Sequence, residues 1–300
     1  MRVLVTGAGG TLGTALAPVL ATAGHEPVLL DLRPLRSPYE CIQGDLRRPK
    51  DVLAAASGVD VIVHTAAVHG IHLRDHSVRD FYDLNLTGTL NVWQAAAEVG
   101  ARAVVFSSTM GVYQSRNTTP GRAAALPEDV PLRPGDVYGW TKMAGEELCQ
   151  LYGRTHGIPS VGLRFGMFVP EPFFRYGIRL LYGGVDTHDV VRSVMTSIDA
   201  LTSGNVTWET FNIESVVPFT DDDTEQLALD PMPVLDKYYP GASELLRERG
   251  VESLAPITVY YPMNHAEKVL GFKPQCNFDR WLEELESRPG ERAEQSPPWP

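Results

Sequence analysis

A tyrosine and a lysine four residues apart have the spacing of a proton-transfer pair. Tyr138 and Lys142 open a predicted helix and lie on one of its faces. An ammonium group beside a phenol stabilises the phenolate and lowers its pKa, as a general base near neutral pH requires. About thirty residues earlier, a predicted strand ends in the hydroxyls of Ser107, Ser108 and Thr109. Such a hydroxyl can bond the same substrate oxygen as the phenol, which completes the predicted site.

A glycine-rich turn at the start of the chain predicts where a dinucleotide binds. An apolar strand, the turn at residues 6–13 and an apolar helix follow one another directly. In that order the helix N-terminus presents free N–H groups and a partial positive charge to a pyrophosphate. Gly7 permits the tight turn, Gly10 lets the backbone approach the phosphates, and Gly13 lets the helix pack close to the strand.

The choice between NAD and NADP depends on the end of the second predicted strand. Asp31 stands about twenty residues beyond the turn, where a carboxylate accepts hydrogen bonds from the ribose hydroxyls and repels a 2′-phosphate. NAD is therefore the predicted cofactor. Arg33 and Arg36 either hold that phosphate or are solvated loop charges, so tolerance of NADP stays open. Asp45, followed by Leu46, either reaches the adenine amino group or caps the next helix.

The elements that position these residues alternate between strand and helix. The predicted strands span residues 2–6, 26–31, 40–43, 59–65, 103–107 and 160–165, and the predicted helices span 12–23, 50–56, 81–98 and 138–156. This alternation predicts an α/β fold, a Rossmann-type doubly wound parallel sheet, with ligands at the carboxyl ends of its strands.

From about residue 168, prolines, glycines and aromatic residues dominate the sequence. We predict a small C-terminal substrate-binding lobe at 168–287, after a dinucleotide-binding domain at 1–167. Within the lobe, a helix at 189–202 and a strand at 207–213 return to the main sheet. Residues 288–300 are predicted to be a disordered tail because they are polar and rich in proline.

Composition excludes several classes of partner. The net charge of −11 over 300 residues argues against nucleic acid and against anionic membrane surfaces. Cys41, Cys149 and Cys276 are scattered and odd in number, so neither a disulfide framework nor a metal site is predicted. The sequence shows no secretory signal and no apolar run long enough to cross a bilayer, so a cytoplasmic protein is expected.

The chain resembles the extended short-chain dehydrogenases/reductases, a family of nucleotide-sugar epimerases, dehydratases and related sugar oxidoreductases. The likeness covers roughly residues 1–215 and, weakly, 259–285. Five motifs stand in the family's order: the glycine turn at 6–13, His-Thr-Ala-Ala at 64–67, Asn85 ahead of Gly88 and Thr89, the block 106–113 with its hydroxyls, and Tyr138 with Lys142.

The resemblance implies that Thr109 polarises a substrate hydroxyl or carbonyl, that Tyr138 transfers its proton, and that Lys142 also holds the nicotinamide ribose. His64 is expected to pack under the nicotinamide loop. The predicted cofactor-binding residues are Gly7, Gly10, Thr11, Leu12, Gly13, Asp31, Arg33, Asp45, Leu46, His64, Ala66, Ala67, Asn85, Ser107, Tyr138 and Lys142. The predicted substrate-binding residues are His69, Ser108, Thr109 and Arg175.

Departures from the family pattern narrow the chemistry. Relatives that dehydrate sugars carry an acidic pair where this chain has Met110 and Gly111, so dehydration is not predicted. Met167 replaces an asparagine of the nucleotide-sugar enzymes, which weakens the case for a uridine diphosphate handle. The Pro-Glu-Pro at 170–172 with Arg175 instead resembles the uronate dehydrogenases, in which a downstream arginine binds the substrate carboxylate. Arg175 is either such a bidentate clamp or a surface arginine.

The sequence predicts an NAD-dependent enzyme that transfers hydride at a carbinol of a sugar, sugar acid or sugar derivative. An epimerase with tightly bound NAD uses the same machinery and is the alternative. A non-catalytic NAD-binding regulatory protein is a remote one, because such a protein has no need of the phenol–ammonium pair. The helices at 81–98 and 138–156 match those that pair in dimers of the family, with Leu84, Trp93, Leu148 and Leu151 outermost, so a homodimer is expected.

Overall fold

A seven-stranded parallel sheet forms the centre of the molecule. The computed structural model describes residues 1–113 and 119–293, and the sheet order is β3-β2-β1-β4-β5-β7-β8. The strands are β1 (Arg2–Thr6), β2 (Glu26–Asp31), β3 (Glu40–Gln43), β4 (Val61–His64), β5 (Ala103–Thr109), β6 (Ala124–Ala125), β7 (Ser160–Phe165), β8 (Trp208–Ile213) and β9 (Val259–Tyr260). β6 and β9 pair separately. The predicted α/β fold with a doubly wound parallel sheet is confirmed.

Helices cover both faces of this sheet. They are α1 (Thr11–Thr22), α2 (Pro49–Ala56), α3 (Val78–Phe81), α4 (Thr89–Val99), α5 (Val137–His156), α6 (Phe173–Arg179), α7 (Thr187–Thr202), α8 (Thr224–Leu229), α9 (Met232–Tyr238), α10 (Ala242–Glu248), α11 (Asn264–Leu270) and α12 (Phe278–Glu286). Because side chains alternate along a strand, Val3 and Val5 of β1 pack with α1 and α7. Leu4 packs on the opposite face, with α2, α4 and α5.

The helix predicted at 81–98 is not continuous. It begins earlier, at Val78, because Ser77 and Asp80 form a reciprocal capping box there. After α3 the chain makes a π-helical turn, Tyr82–Gly88, before α4 continues the helix. The interrupted geometry places Asn85 in the core.

The C-terminal lobe is more helical than its sequence indicates. Six helices that the sequence analysis did not predict lie there: α6 and α8–α12. Five of them, α6, α8, α9, α10 and α12, share a core that contains Phe278 and Trp281, whereas α11 packs into the core beside the main sheet. The helix α7 and strand β8 lie within the same stretch of sequence but join the main sheet, where β8 pairs with β7.

Beyond α12, the structure describes the chain as far as Ala293. Ala293 donates its backbone N–H to the Arg249 carbonyl at 2.8 Å. Residues 294–300, the rest of the predicted tail, lie outside the described residues. Among the helices of 1–113 and 119–293, none has the length and apolar character needed to cross a membrane.

Candidate active site

A cavity of about 760 Å³ runs along the carboxyl ends of the central strands. Gly7 lies on it after β1, Asp31 at the end of β2, Thr65 after β4 and Thr109 at the end of β5. Gly166, after β7, lies on it as well. This edge is where parallel α/β sheets bind ligands, because the connections diverge there.

The glycine turn at one end of the cavity is built from close backbone contacts. Gly7 has a φ of +67°, and a β-carbon there would lie 2.6 Å from the Ala66 Cα. Both the dihedral angle and the space therefore favour glycine. A β-carbon at Gly13 would lie 2.5 Å from the Ala8 Cα, so Gly13 seats α1 against the turn. Gly7 and Gly10 line the cavity with Thr11 and Leu12, and Gly13 stands behind them.

Asp31 is held rigidly beside this turn. Its carboxylate accepts from the Gly9 N–H at 2.9 Å and from the Arg33 N–H at 3.0 Å. The Arg33 side chain is exposed, with Nε 3.7 Å from the same carboxylate, and it lines the cavity. Arg36 is exposed and does not line the cavity.

Asp45 does not cap α2, because that helix begins after Arg48 and has no side-chain cap. Its carboxylate instead binds Arg47 at 2.7 Å, which holds the Asp45 pKa below its usual range. Asp45, Leu46 and Arg47 all line the cavity.

Besides Gly13, two of the predicted cofactor residues lie behind the cavity wall. His64 is fully buried between the Thr6 and Thr89 hydroxyls, at 2.7 and 2.9 Å, and burial lowers its pKa to about 3. The Asn85 side chain bonds both backbone groups of Val68, at 2.7 and 3.0 Å. Neither lines the cavity, so both shape the wall containing Ala66 and Ala67 rather than contact a ligand.

The structure brings Thr109, Tyr138 and Lys142 together in the middle of the cavity. Thr109 ends β5, and its side chain is close enough to the Tyr138 hydroxyl to oppose the rise in the phenol pKa. Asp136 caps α5 by accepting from the Gly139 N–H at 2.8 Å, which fixes where Tyr138 and Lys142 enter the cavity. The Lys142 ammonium donates to the Ser107 carbonyl at 2.7 Å.

The protonation of this group differs from the sequence expectation. Burial raises the pKa of Tyr138 to about 12, although the Thr109 hydrogen bond opposes that effect. Burial also lowers the pKa of Lys142 to about 7. The lysine nitrogen lies 6.0 Å from the centre of the Tyr138 ring and is bonded to Ser107. The expectation that Lys142 lowers the phenol pKa is therefore wrong for the protein by itself, because desolvation dominates.

His69 and Ser108 also reach the cavity. The His69 ring lies 5.0 Å from the Tyr138 ring, and its Nδ1 accepts from the Ile71 N–H at 3.2 Å. Burial lowers the His69 pKa. The Ser108 hydroxyl donates to Glu146 at 2.5 Å, and Glu146 forms a buried ion pair with Arg164. The proton of Ser108 is thus committed to the protein core.

Arg175 is not on the cavity, contrary to its predicted role. It lies on α6 with 52% of its side chain exposed, 3.3 Å from Glu171. Arg179, one turn further along α6, lines the cavity with only 12% of its side chain exposed. It also binds Glu171, at 3.2 and 3.3 Å. The sequence analysis missed Arg179 because the signal for it, a one-turn offset from Arg175, exists only once α6 is known to be a helix.

The cavity also has walls that no motif indicated. Beyond the catalytic group it is lined by apolar and aromatic side chains from several loops: Met110, Phe165, Met167, Phe168, Val169, Tyr182 and Tyr261. Met110 and Met167 stand out in the sequence as departures from the family pattern. Tyr261 comes from the segment after β9, far along the chain from the catalytic residues.

A parallel sheet, a glycine turn at a helix N-terminus and a Thr–Tyr–Lys group together define an NAD-dependent enzyme of the extended short-chain dehydrogenase/reductase class. The model of the NAD dependent epimerase/dehydratase family matches residues 3–171, and the chain belongs to this family. The family, the enzyme class and NAD as the cofactor are thereby confirmed.

Similar curated proteins include both dehydrogenases and epimerases. A uronate dehydrogenase of Pseudomonas putida is 29% identical over 64% of this chain and 69% of its own length. The L-arabinose 1-dehydrogenase (NAD(P)(+)) of Haloferax volcanii is 34% identical over 55% of this chain and 66% of its own. A UDP-glucose 4-epimerase of Corynebacterium glutamicum is 26% identical over 55% of this chain and 50% of its own.

Solved structures resemble the whole chain. Uronate dehydrogenase from Agrobacterium tumefaciens has a TM-score of 0.70 and 24% identity, over 99% of this chain and 90% of that one. UDP-N-acetylglucosamine 4-epimerase from Bacillus cereus has a TM-score of 0.68 and 23% identity, over 96% and 98% of the two chains. At this identity, the likeness shows the fold.

Proposed function

We propose that the protein is an NAD-dependent dehydrogenase that oxidises a carbinol of a sugar acid. The observation that carries this proposal is Arg179, which reaches the same cavity as Thr109, Tyr138 and Lys142. A carboxylate held by Arg179 would anchor the substrate while its hydroxyl meets the catalytic group. The similarity to uronate dehydrogenases supports the same substrate class.

Charge at the substrate end favours an anion. Arg175 and Arg179 both bind the carboxylate of Glu171. Of these two arginines, Arg179 is the one that brings its guanidinium to the cavity. A guanidinium that binds one carboxylate along one edge still has N–H donors with which to bind a second carboxylate.

Each catalytic side chain has a role that follows from its position. Tyr138 takes the proton of the substrate hydroxyl, and Thr109 bonds the same oxygen. Lys142, anchored on Ser107, holds the nicotinamide ribose. When bound along the glycine turn, NAD supplies the hydride acceptor and a positive charge that favours the phenolate. The cavity walls around Met110 and Phe168 exclude water from the reacting atoms.

The test compares two arginines of one helix. Arg179→Met is expected to raise KM for a hexuronate by about tenfold or more, the loss expected for a charge-assisted hydrogen bond, with little change for the matching neutral aldose. Arg175→Met is the matched control, because it removes the same charge and the same Glu171 partner outside the cavity. Equal effects of the two substitutions, or no effect of either, would contradict the assigned role of Arg179.

An epimerase is the second candidate, because similar proteins include UDP-glucose epimerases. Epimerisation returns the hydride to the same substrate, so an epimerase keeps its cofactor. Protein purified with NAD already bound, and able to interconvert two UDP-sugars without accumulating NADH, would establish this alternative. A site that fills only on addition of NAD, with one NADH released per sugar acid, supports the dehydrogenase.

We also propose that the protein is a homodimer in the cytoplasm. Val78, Tyr82, Trp140 and Leu151 are exposed, and the Tyr82 and Trp140 rings stack with centroids 6.5 Å apart. They lie on α3, the π-helical turn and α5, the region expected to pair. Trp93 is fully buried and cannot contribute, contrary to the sequence expectation. Light scattering of Trp140→Glu should show a shift towards monomer if this face pairs.

A further inference from the structure

Glu214 is a buried carboxyl group without a partner. It follows β8 directly, is 1% exposed, and neither carboxyl oxygen has a hydrogen-bond partner among the described residues. Burial raises its pKa well above the ordinary value, which favours the neutral form of the carboxyl. A neutral carboxyl offers one O–H donor and one carbonyl acceptor. Buried polar groups are nearly always hydrogen-bonded, so this exception requires an explanation.

The carboxyl lies directly behind the wall of the substrate end. A β-carbon at Gly166 would be 2.8 Å from the Glu214 Oε2, and one at Gly183 would be 3.0 Å from it. Both glycines line the cavity, and so does Tyr261, whose ring edge would be 2.9 Å from the Gly183 β-carbon. Two glycine backbones and one aromatic ring thus separate the carboxyl from the cavity.

Four backbone N–H groups near Glu214 are engaged by other acceptors. The N–H of Gly166 bonds Ile213, and the N–H of Met167 bonds Gly183, at 3.1 and 3.0 Å. The N–H groups of Val185 and Ser215 bond Met167 and Gly184, at 3.1 and 2.8 Å. These bonds tie the three loops around Glu214 together, and none of the four N–H groups serves its oxygens. Among the described residues Glu214 has no hydrogen-bond partner, and a ligand that reaches it would supply one.

Arg179 lies against the same turn. A β-carbon at Gly184 would be 2.5 Å from the Arg179 Cγ, so Arg179 and Glu214 both pack against the turn Gly183 and Gly184 form. An ionised Glu214 would repel the carboxylate that Arg179 is proposed to hold, whereas a neutral one does not. A neutral Glu214 suits a ligand whose acidic group binds Arg179 and whose uncharged hydroxyl lies nearby.

We propose that Glu214 is a specificity-determining residue whose neutral carboxyl hydrogen-bonds a hydroxyl of the sugar, on the side away from the reacting carbinol. The contact forms when the substrate displaces the Tyr261 ring edge from Gly183. This assignment rests on the proposed function and adds to it that the substrate is polyhydroxylated beyond its reacting carbon. Both glycines stand where backbones pack closely: a β-carbon at Gly166 would lie 2.4 Å from the Gly183 carbonyl oxygen, and Gly183 has a φ of +77°.

The test uses two replacements of similar size. Glu214→Met keeps the volume and removes both hydrogen-bonding groups, and is expected to raise KM for the preferred sugar acid about tenfold while kcat stays within about twofold. Glu214→Gln keeps a donor and an acceptor and should stay within about threefold of wild type. Glu214→Leu repeats the measurement should the methionine variant not fold. Glu209→Gln, an exposed carboxylate on β8, is the control.

Deoxy analogues show which hydroxyl is bound. For the analogue that lacks the contacted hydroxyl, wild type and Glu214→Met should have the same KM. An unchanged KM for every substrate in Glu214→Met and Glu214→Leu would overturn the assignment, and so would a fall in kcat alone.

Calorimetry on the NADH-bound protein separates this inference from the proposed function. Sugar-acid binding that is weakened by Glu214→Met but never followed by oxidation would support the Glu214 contact and defeat the dehydrogenase. If wild type and Glu214→Met both oxidise the sugar acid with equal KM, the dehydrogenase is supported and the Glu214 contact is contradicted. No binding of any sugar acid would defeat both.

Discussion

The two ends of the cavity are built by different means. At the cofactor end, Gly7, Gly10 and the start of α1 present backbone, and all come from one short stretch of chain. At the substrate end, Arg179 and Tyr261 present side chains from loops and helices far apart in sequence. A backbone site needs a local pattern of glycines, whereas a side-chain site needs the whole lobe to fold. Thr109, Tyr138 and Lys142 lie where the two ends meet.

The sharpest way to separate the two ends is Tyr138→Phe. The phenol contacts the reacting oxygen and not the pyrophosphate, so turnover is expected to fall about 10²–10⁴-fold, the usual contribution of general acid–base catalysis. NAD affinity, measured by calorimetry, should hardly change. Tyr82→Phe, on the exposed stacked ring, is the control. Full activity of Tyr138→Phe would remove the proposed mechanism.

The pH dependence of stability tests whether Lys142 is shielded from water where the two ends of the cavity meet. Burial lowers its pKa to about 7 from 10.5, so unfolding between those pH values takes up a proton and a higher pH stabilises the fold. Relative to Lys142→Met, the free energy of unfolding of wild type should rise by up to about 1.4 kcal/mol per pH unit from pH 7 to 9. Below pH 7 the slope disappears, because Lys142 is then protonated in both the folded and the unfolded chain.

Urea unfolding at each pH measures this difference. Lys273→Met, an exposed lysine, should show no such slope. A flat difference between wild type and Lys142→Met would mean that Lys142 stays charged and solvated in the fold.

The tightness of the cofactor end is tested by Gly13→Ala. The new β-carbon would lie 2.5 Å from the Ala8 Cα and 2.7 Å from its carbonyl oxygen, so backbone must move. Overpacking of this kind costs about 1–3 kcal/mol of unfolding free energy. Gly153→Ala, within α5 and no closer than 3.6 Å to any neighbour, should instead stabilise by roughly 0.5–1 kcal/mol. Thermal unfolding of both variants measures these two opposite changes in stability.

The smallest expected effect concerns cofactor choice at Asp31. Wild type should bind NAD at least about tenfold more tightly than NADP, a difference of about 1.4 kcal/mol. Asp31→Ser should remove most of that preference, because it removes the charge that repels a 2′-phosphate. Arg33→Ala should leave the preference intact. Tighter binding of NADP by wild type would show that Arg33 or Arg36 dominates instead.

What the sequence could predict follows the same division. The glycine turn and the Tyr138–Lys142 pair depend on spacing within one or two elements, and the structure brings them to one cavity. His64 and Asn85 carry a family motif but serve the core, because a motif does not tell which side of a wall its side chain faces.

Arg179 could not be predicted because α6 is held by a distant contact. A β-carbon at Gly177 would lie 1.9 Å from the Trp281 ring, and the Trp281 indole donates to the Phe173 carbonyl at 3.1 Å. The helix is short and uncapped, so this contact across about a hundred residues sets its orientation rather than a local signal. Which arginine enters the cavity is therefore decided by tertiary packing.

The π-helical turn at Tyr82–Gly88 affects which surface residues can change in sequence without disturbing the cavity. Each residue added to or removed from a helix rotates everything beyond it by about 100°. The wider turn therefore sets the outward face of Val78 and Tyr82 independently of α4, whose Trp93 points into the core. Asn85, inside the turn, holds the cavity wall at Val68. The exposed surface at Val78 and Tyr82 can thus vary in sequence without moving the residues that shape the cofactor site.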